Sequence, residues 1–264
     1  MNNSIYYKAE GYSTALKKLM GRNSAGASFI KGYLRHATQK TPLITVDNVK
    51  DAEDFKQTLE EAGKDTEFEY IAPSNYQDHK NVNTIYFPGP GIGTLAYQRS
   101  FFGAEAWSLC GITHTTSSGT AMDQICEHIT APVQPWDAII CTSTAVKKHV
   151  ENLYSYYQDH LASRLGITKL VHPQLPVIPL GINSDEFVFD DQDRASARSK
   201  LGIKDDDVVF IYMGRLSFHA KAHPLIMYEA LQEAFNITER KIHLIEWWLV
   251  SKRLYRSRIS NGRT

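Results

Sequence analysis

Cysteine is scarce and poorly placed for chemistry. Only three occur, Cys110, Cys126 and Cys141, with no C-x-x-C spacing, which argues against a zinc site or a disulfide framework. Cys110 and Cys141 lie in apolar runs, as small buried residues do. An excess of either charge is missing too: Lys plus Arg and Asp plus Glu each number 29 in a chain of 264 residues, so no global charge recruits nucleic acid or membrane. No apolar run is long enough to span a bilayer and no basic-then-apolar leader opens the chain. The expectation is therefore a soluble protein in a reducing, cytoplasmic compartment, with peripheral membrane association left open. An apolar fraction of 42% is ample for a core, and the length has room for about two domains at ~100–200 residues each.

A complete dinucleotide fingerprint is also missing. Pro88 to Thr94, P-G-P-G-I-G-T, crowds Gly89, Gly91 and Gly93 into a strand-to-helix turn. The third-glycine spacing is absent, no acidic partner of a first strand is evident ~20 residues on, and Pro90 removes an N–H that would hold phosphate. Gly91 and Gly93 are better read as a loop at a cleft between domains. Gly21 to Gly26 reads as a Gly-rich, polar loop before a helix at about Ala27 to His36, with a simple flexible turn as the alternative.

What is present is an alternation of short apolar runs with amphipathic helices. Ile5–Tyr7 (weakly), Leu43–Val46, Phe68–Ile71, Thr84–Phe87, Trp107–Ile112 and Trp136–Cys141 read as strands. Helices are expected over Ala52–Gly63, after a Ser118 cap, and over Thr144–Leu165 between a Ser143 cap and a Gly166 stop. The long helix should bury Val146, Val150, Leu153, Tyr157, Leu161 and Leu165. This is the pattern of an α/β domain with a mostly parallel sheet. His114, just past the Trp107–Ile112 strand, stands where open α/β sheets bind ligands, unless it simply bonds the start of the next helix. The Pro-punctuated segment His172–Gly181 places a domain boundary near residue 180.

The most informative stretch is Asp207 to Pro224. Val208–Tyr212 reads as a strand buried on both faces, ending at a tight turn at Gly214 and followed by a helix from about Pro224. Arg215 and Lys221 set two cations in the intervening loop, where they either clamp a diphosphate with the free N–H groups of the helix start or are ordinary solvated charges. His219 and His223 flank Lys221, but a loop position and the lack of a third ligand argue against a metal. Asp185 and Glu186 are read as turn residues rather than catalytic acids.

The order V-I-P-L-G-I-N-x-x-x-F, a helix with Arg194 and Arg198, L-G-I, a strand and G-R-L-(x)4-K resembles the retaining glycosyltransferases of family 4, over Leu175 to about Glu246. The resemblance implies a GT-B-type α/β fold: a Rossmann-like, acceptor-side domain over 1–180 and an incomplete nucleotide-sugar-binding domain over 181–246. It implies Gly214, Arg215 and Lys221 as binders of the donor diphosphate, His114 in the G-I-T-H-T-T element as the contact to the transferred sugar, the loop with Gly21 and Gly26 as the counterpart of a glycine-rich loop along the cleft between domains, and the loop with Gly91 and Gly93 as one beside the acceptor. Transfer would go to an acceptor hydroxyl of a glycan, lipid or small molecule, with retention and without a metal or other cofactor.

The family's later E-(x)7-E element has no counterpart after Ile245. Residues 247–264 carry five basic and no acidic side chains, and are read as out-of-frame translation, with a native basic surface tail as the alternative. The expectation is therefore a truncated transferase. The rivals are a non-catalytic single-domain remnant and an NAD-dependent oxidoreductase using Pro88–Thr94.

Overall fold

The computed structural model describes residues 2–12, 21–61, 67–214, 223–247 and 255–258. They fall into two compact units, one reaching to Ile182 and the other starting at Asn183.

The first unit begins with β1 (Asn3–Tyr7), the weakest of the expected strands and the one the sheet is built around. After it come α1 (Ala9–Tyr12), α2 (Gly21–His36), β2 (Leu43–Val46), α3 (Val49–Glu61) and β3 (Glu69–Ile71). A 3-10 stretch over Pro73–Asn81 leads to β4 (Thr84–Tyr86), α4 (Gly93–Ser100), β5 (Ser108–Ile112), α5 (Gly119–Glu127), β6 (Ala138–Ile140) and α6 (Thr144–Leu165). The six strands lie in the order β3-β2-β1-β4-β5-β6, all parallel. Chain direction across the sheet reverses between β1 and β4, and loops leave both strands there to open a crevice at their C-terminal ends.

Burial on both faces explains why the strands are apolar runs rather than alternating ones. Ile5 and Tyr7 of β1 join a cluster with Ile30 of α2 and Phe55 and Leu59 of α3. Tyr6 faces the opposite cluster, with Ile85, Leu95 and Leu109. The one polar residue in the buried part of β1, Ser4, bonds Thr45 of β2 hydroxyl to hydroxyl at 2.8 Å. Ser118 and Ser143 cap α5 and α6 by accepting from Ala121 N and Val146 N, and Gly166 stops α6 at φ +67°. The buried stripe of α6 differs from the expected one. It is Val150, Tyr154 and Leu161, with Leu165 exposed, because Tyr154 turns inward to meet His128.

A buried ion pair ties the sheet's N-terminal edge. Arg99 of α4 and Asp137 before β6 are both fully buried and joined by two bonds of 2.7 Å. Arg99 also donates to the carbonyls of Trp107 and Pro132, and Asp137 accepts from the backbone N–H groups of Leu109 and Gln134. Bidentate geometry and these extra bonds offset the cost of burying two charges.

The second unit holds a 3-10 turn over Ser184–Phe187, α7 (Asp191–Leu201), β7 (Val208–Met213), α8 (Pro224–Thr238), β8 (Ile242–Trp247) and β9 (Tyr255–Arg258). β7 and β8 are parallel, and β9 lies antiparallel to β8; sequence reasoning had placed no element at β9. Asp190 and Asp193 form a capping box at the start of α7, and Gly202 ends it at φ +60°. Leu231 of α8 packs on Ile242 and Leu244 of β8. β7 is a strand as expected, but it is not buried on both faces: Ile211 is 65% and Met213 74% exposed. It pairs only with β8 among the described strands, so the apolar run lacks the neighbours that a doubly covered strand needs.

Candidate functional site

The crevice between β1 and β4 is narrowed by backbone-to-backbone packing. Gly21 to Gly26, expected as a loop, is instead the opening of α2, and this corrects the reading of Gly21 and Gly26 as loop glycines. A Cβ at Gly26 would overlap the carbonyl of Gly11, so glycine is what lets α2 cross α1 in direct contact. Asn23 Nδ2 donates to Glu10 O at 2.7 Å and holds the crossing. A Cβ at Gly11 would in turn lie 3.6 Å from Pro88, so α1 and the loop after β4 meet here. Gly21 has nothing within 4 Å of such a Cβ, and no packing need explains it.

The loop after β4 is fastened from below. Ile112 N donates to Gly89 O at 3.0 Å, and a Cβ at Gly111 would lie 2.7 Å from that carbonyl, so the loop rests directly on β5. His128 Nε2 donates to Pro90 O at 2.6 Å, while Tyr154 donates to Nδ1 at 2.8 Å. Burial holds the His128 pKa down at about 4, so the ring is neutral near pH 7. Cβ atoms at Gly91 and Gly93 would come within 2.8 Å of Gln124 and 2.5 Å of Glu127. These are the ends of flexible side chains that can turn aside, so the contacts with α5 do not by themselves require glycine at either position.

Between the α2 face and the strand ends lies a cavity of about 440 Å³. Tyr86 ends β4, Ile112 ends β5, Ile140 ends β6, and Phe29 and Tyr33 reach it from α2. His114 lines it as well. The backbone before His114 is pinned: Thr113 donates twice to Ile140 O, at 3.0 Å from N and 3.0 Å from Oγ1, and Thr142 Oγ1 donates to Thr113 O at 3.3 Å. Among the described residues no hydrogen bond holds the His114 ring itself. Burial, and then the charge of Arg22, lower its pKa, which favours the neutral imidazole. Such a ring can accept or donate one hydrogen bond to a ligand.

The tyrosines here were not foreseen as site residues. Tyr12 is 1% exposed, and its hydroxyl, like that of Tyr33, is buried without a hydrogen-bond partner among the described residues. Phe29 and Tyr86 stack at 4.3 Å and 14°. Phe29 and Tyr33 are four residues apart on α2 and so share one face of it. A row of small residues beside them, Ala25, Ser28 and Gly32, was the further signal that this face leaves space.

In the second unit Gly214 follows β7 with φ +153°, a conformation that L side chains rarely adopt, and its N–H donates to Trp247 O at 3.2 Å. Arg215, His219 and Lys221 lie outside the described residues. No group of three or more His, Cys, Asp or Glu side chains able to hold a metal occurs among the described residues. Nor is any described helix long and apolar enough to cross a membrane.

No protein-family model matches the chain, and no curated protein sequence matches it. Solved structures do. One is the crystal structure of Anabaena Alr3699/HepE in complex with UDP, at TM-score 0.56 and 14% identity over 94% of this chain and 69% of that one. Another holds UDP and glucose, at TM-score 0.53 and 13% identity over 93% and 60%. A third holds UDP-glucose, at TM-score 0.50 and 13% identity over 94% and 69%. At this identity the likeness is one of fold: the chain is α/β, of the type these structures share, and spans 60 to 69% of their length.

Proposed function

We propose that the chain is a glycosyltransferase of the retaining, family 4 type with the GT-B arrangement, taking a UDP-hexose donor and acting in the cytoplasm. The observation that carries this reading is the placement of His114. It lines a cavity at the C-terminal edge of a sheet in the β3-β2-β1-β4-β5-β6 order, in a fold like that of a protein whose structures hold UDP, glucose and UDP-glucose.

In this reading Arg215 and Lys221 neutralise the donor diphosphate, Gly214 lets the chain approach it, and His114 bonds a hydroxyl of the transferred sugar. The acceptor oxygen forms the new bond to the anomeric carbon on the face the diphosphate leaves. The bond from that carbon to the β-phosphate oxygen breaks with its electron pair, and the acceptor proton passes to the departing diphosphate. Side-chain cations supply the charge stabilisation, without a metal.

Calorimetric titration with UDP tests this. Saturable binding is expected, weakened tenfold or more in Arg215→Ala by loss of a charge-assisted bond. A protein that binds neither UDP nor UDP-glucose overturns the reading, and one that binds NAD and is indifferent to Arg215→Ala would be an oxidoreductase instead.

A second reading is a non-catalytic chain. The exposed Phe210, Ile211 and Met213 of β7 favour it, because β7 has a single neighbouring strand among the described residues. UDP binding without sugar transfer or UDP-glucose hydrolysis would decide for it.

A further inference from the structure

The loop that carries His114 runs from Thr113 to Ser118, between β5 and α5. Its two ends are fixed, Thr113 by its hydrogen bonds with Ile140 and Thr142 and Ser118 by capping α5. Between those ends, among the described residues, the loop has one other hydrogen bond: His149 Nε2 of α6 donates to Thr116 O at 3.1 Å. A carbonyl oxygen only accepts, so His149 must carry a proton on Nε2, and it can donate whether its ring is neutral or charged.

This bond bears on His114 because nothing else described restrains that side chain beyond Thr113. The imidazole lines the cavity without a hydrogen bond of its own among the described residues. Its direction therefore follows the backbone on either side of it. Fixed points at both Thr113 and Thr116 leave that backbone far fewer conformations than Thr113 alone would, and order imposed before a ligand arrives need not be imposed by the ligand.

We propose that His149 is a positioning residue: by holding Thr116 O it fixes the loop so that the His114 ring meets the hydroxyl of the bound sugar. His149 itself does not line the cavity and acts through the loop. The inference rests on the transferase reading for the identity of the ligand, and not for the link between His149 and His114.

The full chain is compared with His149→Leu, which removes the donor, and with His149→Gln, whose side-chain amide can donate from a similar reach. His114→Ala and the double variant His114→Ala/His149→Leu complete the set. Calorimetric titration of His149→Leu should show UDP-glucose bound about fivefold more weakly, the worth of one neutral hydrogen bond. UDP, which lacks the sugar, should bind as before. His149→Gln should restore the affinity, and His149→Leu should cost nothing further in the His114→Ala background, since both changes remove the same contact. The His114 ring is also titrated by NMR without ligand. Burial, ahead of the Arg22 charge, lowers its pKa, so a loosened loop in His149→Leu should return it toward the ordinary histidine value, while His149→Gln keeps it low.

An unmoved His114 titration in His149→Leu, equal weakening of UDP and UDP-glucose, additive losses in the double variant, or a His149→Gln protein that behaves like His149→Leu overturns the proposal. If the parent chain binds neither UDP nor UDP-glucose, the transferase reading falls and the NMR titration alone decides the role of His149.

Discussion

The two units treat the same kind of strand differently. β1 and β7 are both short apolar runs, and both read from sequence as strands. β1 is flanked by β2 and β4 and covered on both faces, and four of its five residues are buried. β7 has one described neighbour and leaves Phe210, Ile211 and Met213 exposed. An apolar run therefore specifies a strand, and what covers it is decided elsewhere in the chain. The first unit supplies its own cover through α2, α3, α4, α5 and α6, whereas in the second α8 covers one side of two strands.

If the first unit is held by mutual cover and buried polar ties, breaking a tie should cost most there. Arg99→Ala leaves Asp137 charged and buried without its partner, and the expected loss is about 3–5 kcal/mol. Hydrogen exchange should show it as faster exchange of amides in β5 and α4 with little change in β8. Equal acceleration in both units would erase the distinction between them.

The next effect is one of pH. His128 is held neutral in the fold with a pKa of about 4, against about 6.5 when unfolded. Its contribution is fully present above pH 6.5 and is lost as pH falls through 4, because the unfolded chain takes up the proton first. The loss should approach about 3 kcal/mol for this group. Denaturant unfolding followed from pH 7 to pH 4 should show that slope, and His128→Gln should flatten it.

A smaller change is expected at the helix crossing. Gly26→Val puts atoms where the Gly11 carbonyl lies, and the forced separation of α1 and α2 should cost about 1–3 kcal/mol, read as a lower melting midpoint. The smallest belongs to the second unit: Ile211→Thr on exposed β7 should move stability by no more than about 0.5 kcal/mol. A loss several times larger would mean that β7 is covered in solution and would close the gap between the units.

Much of this architecture was legible in the sequence. Ser118, Ser143, Gly166 and Pro224 bound their helices as their chemistry dictates, and the alternation of strands and helices gave the α/β class. Less was legible where glycine serves packing. Gly26 looked like a loop glycine because a sequence does not distinguish a residue that frees the backbone from one that admits a neighbour. In the structure it faces the Gly11 backbone, which a side chain would displace. The site was half legible: His114 stands out by its position after a strand, whereas Tyr12 and Tyr86 come from distant segments that only the β1–β4 reversal brings together. The inward turn of Tyr154 was missed for a related reason. Helical spacing allowed either Tyr154 or Tyr157 on the buried side, and a partner 26 residues away made the choice.

That partner has a spectroscopic consequence. Pro90 O can only accept, so His128 must carry its proton on Nε2 and receive the Tyr154 hydroxyl at Nδ1. The imidazole is locked in one tautomer, and its two nitrogens should give separate, unaveraged 15N resonances, with an Nε2 proton shielded from exchange with water. Because the ring grips the loop after β4 and does not line the cavity, this pair of signals would report on the loop from behind, whatever occupies the space in front of it.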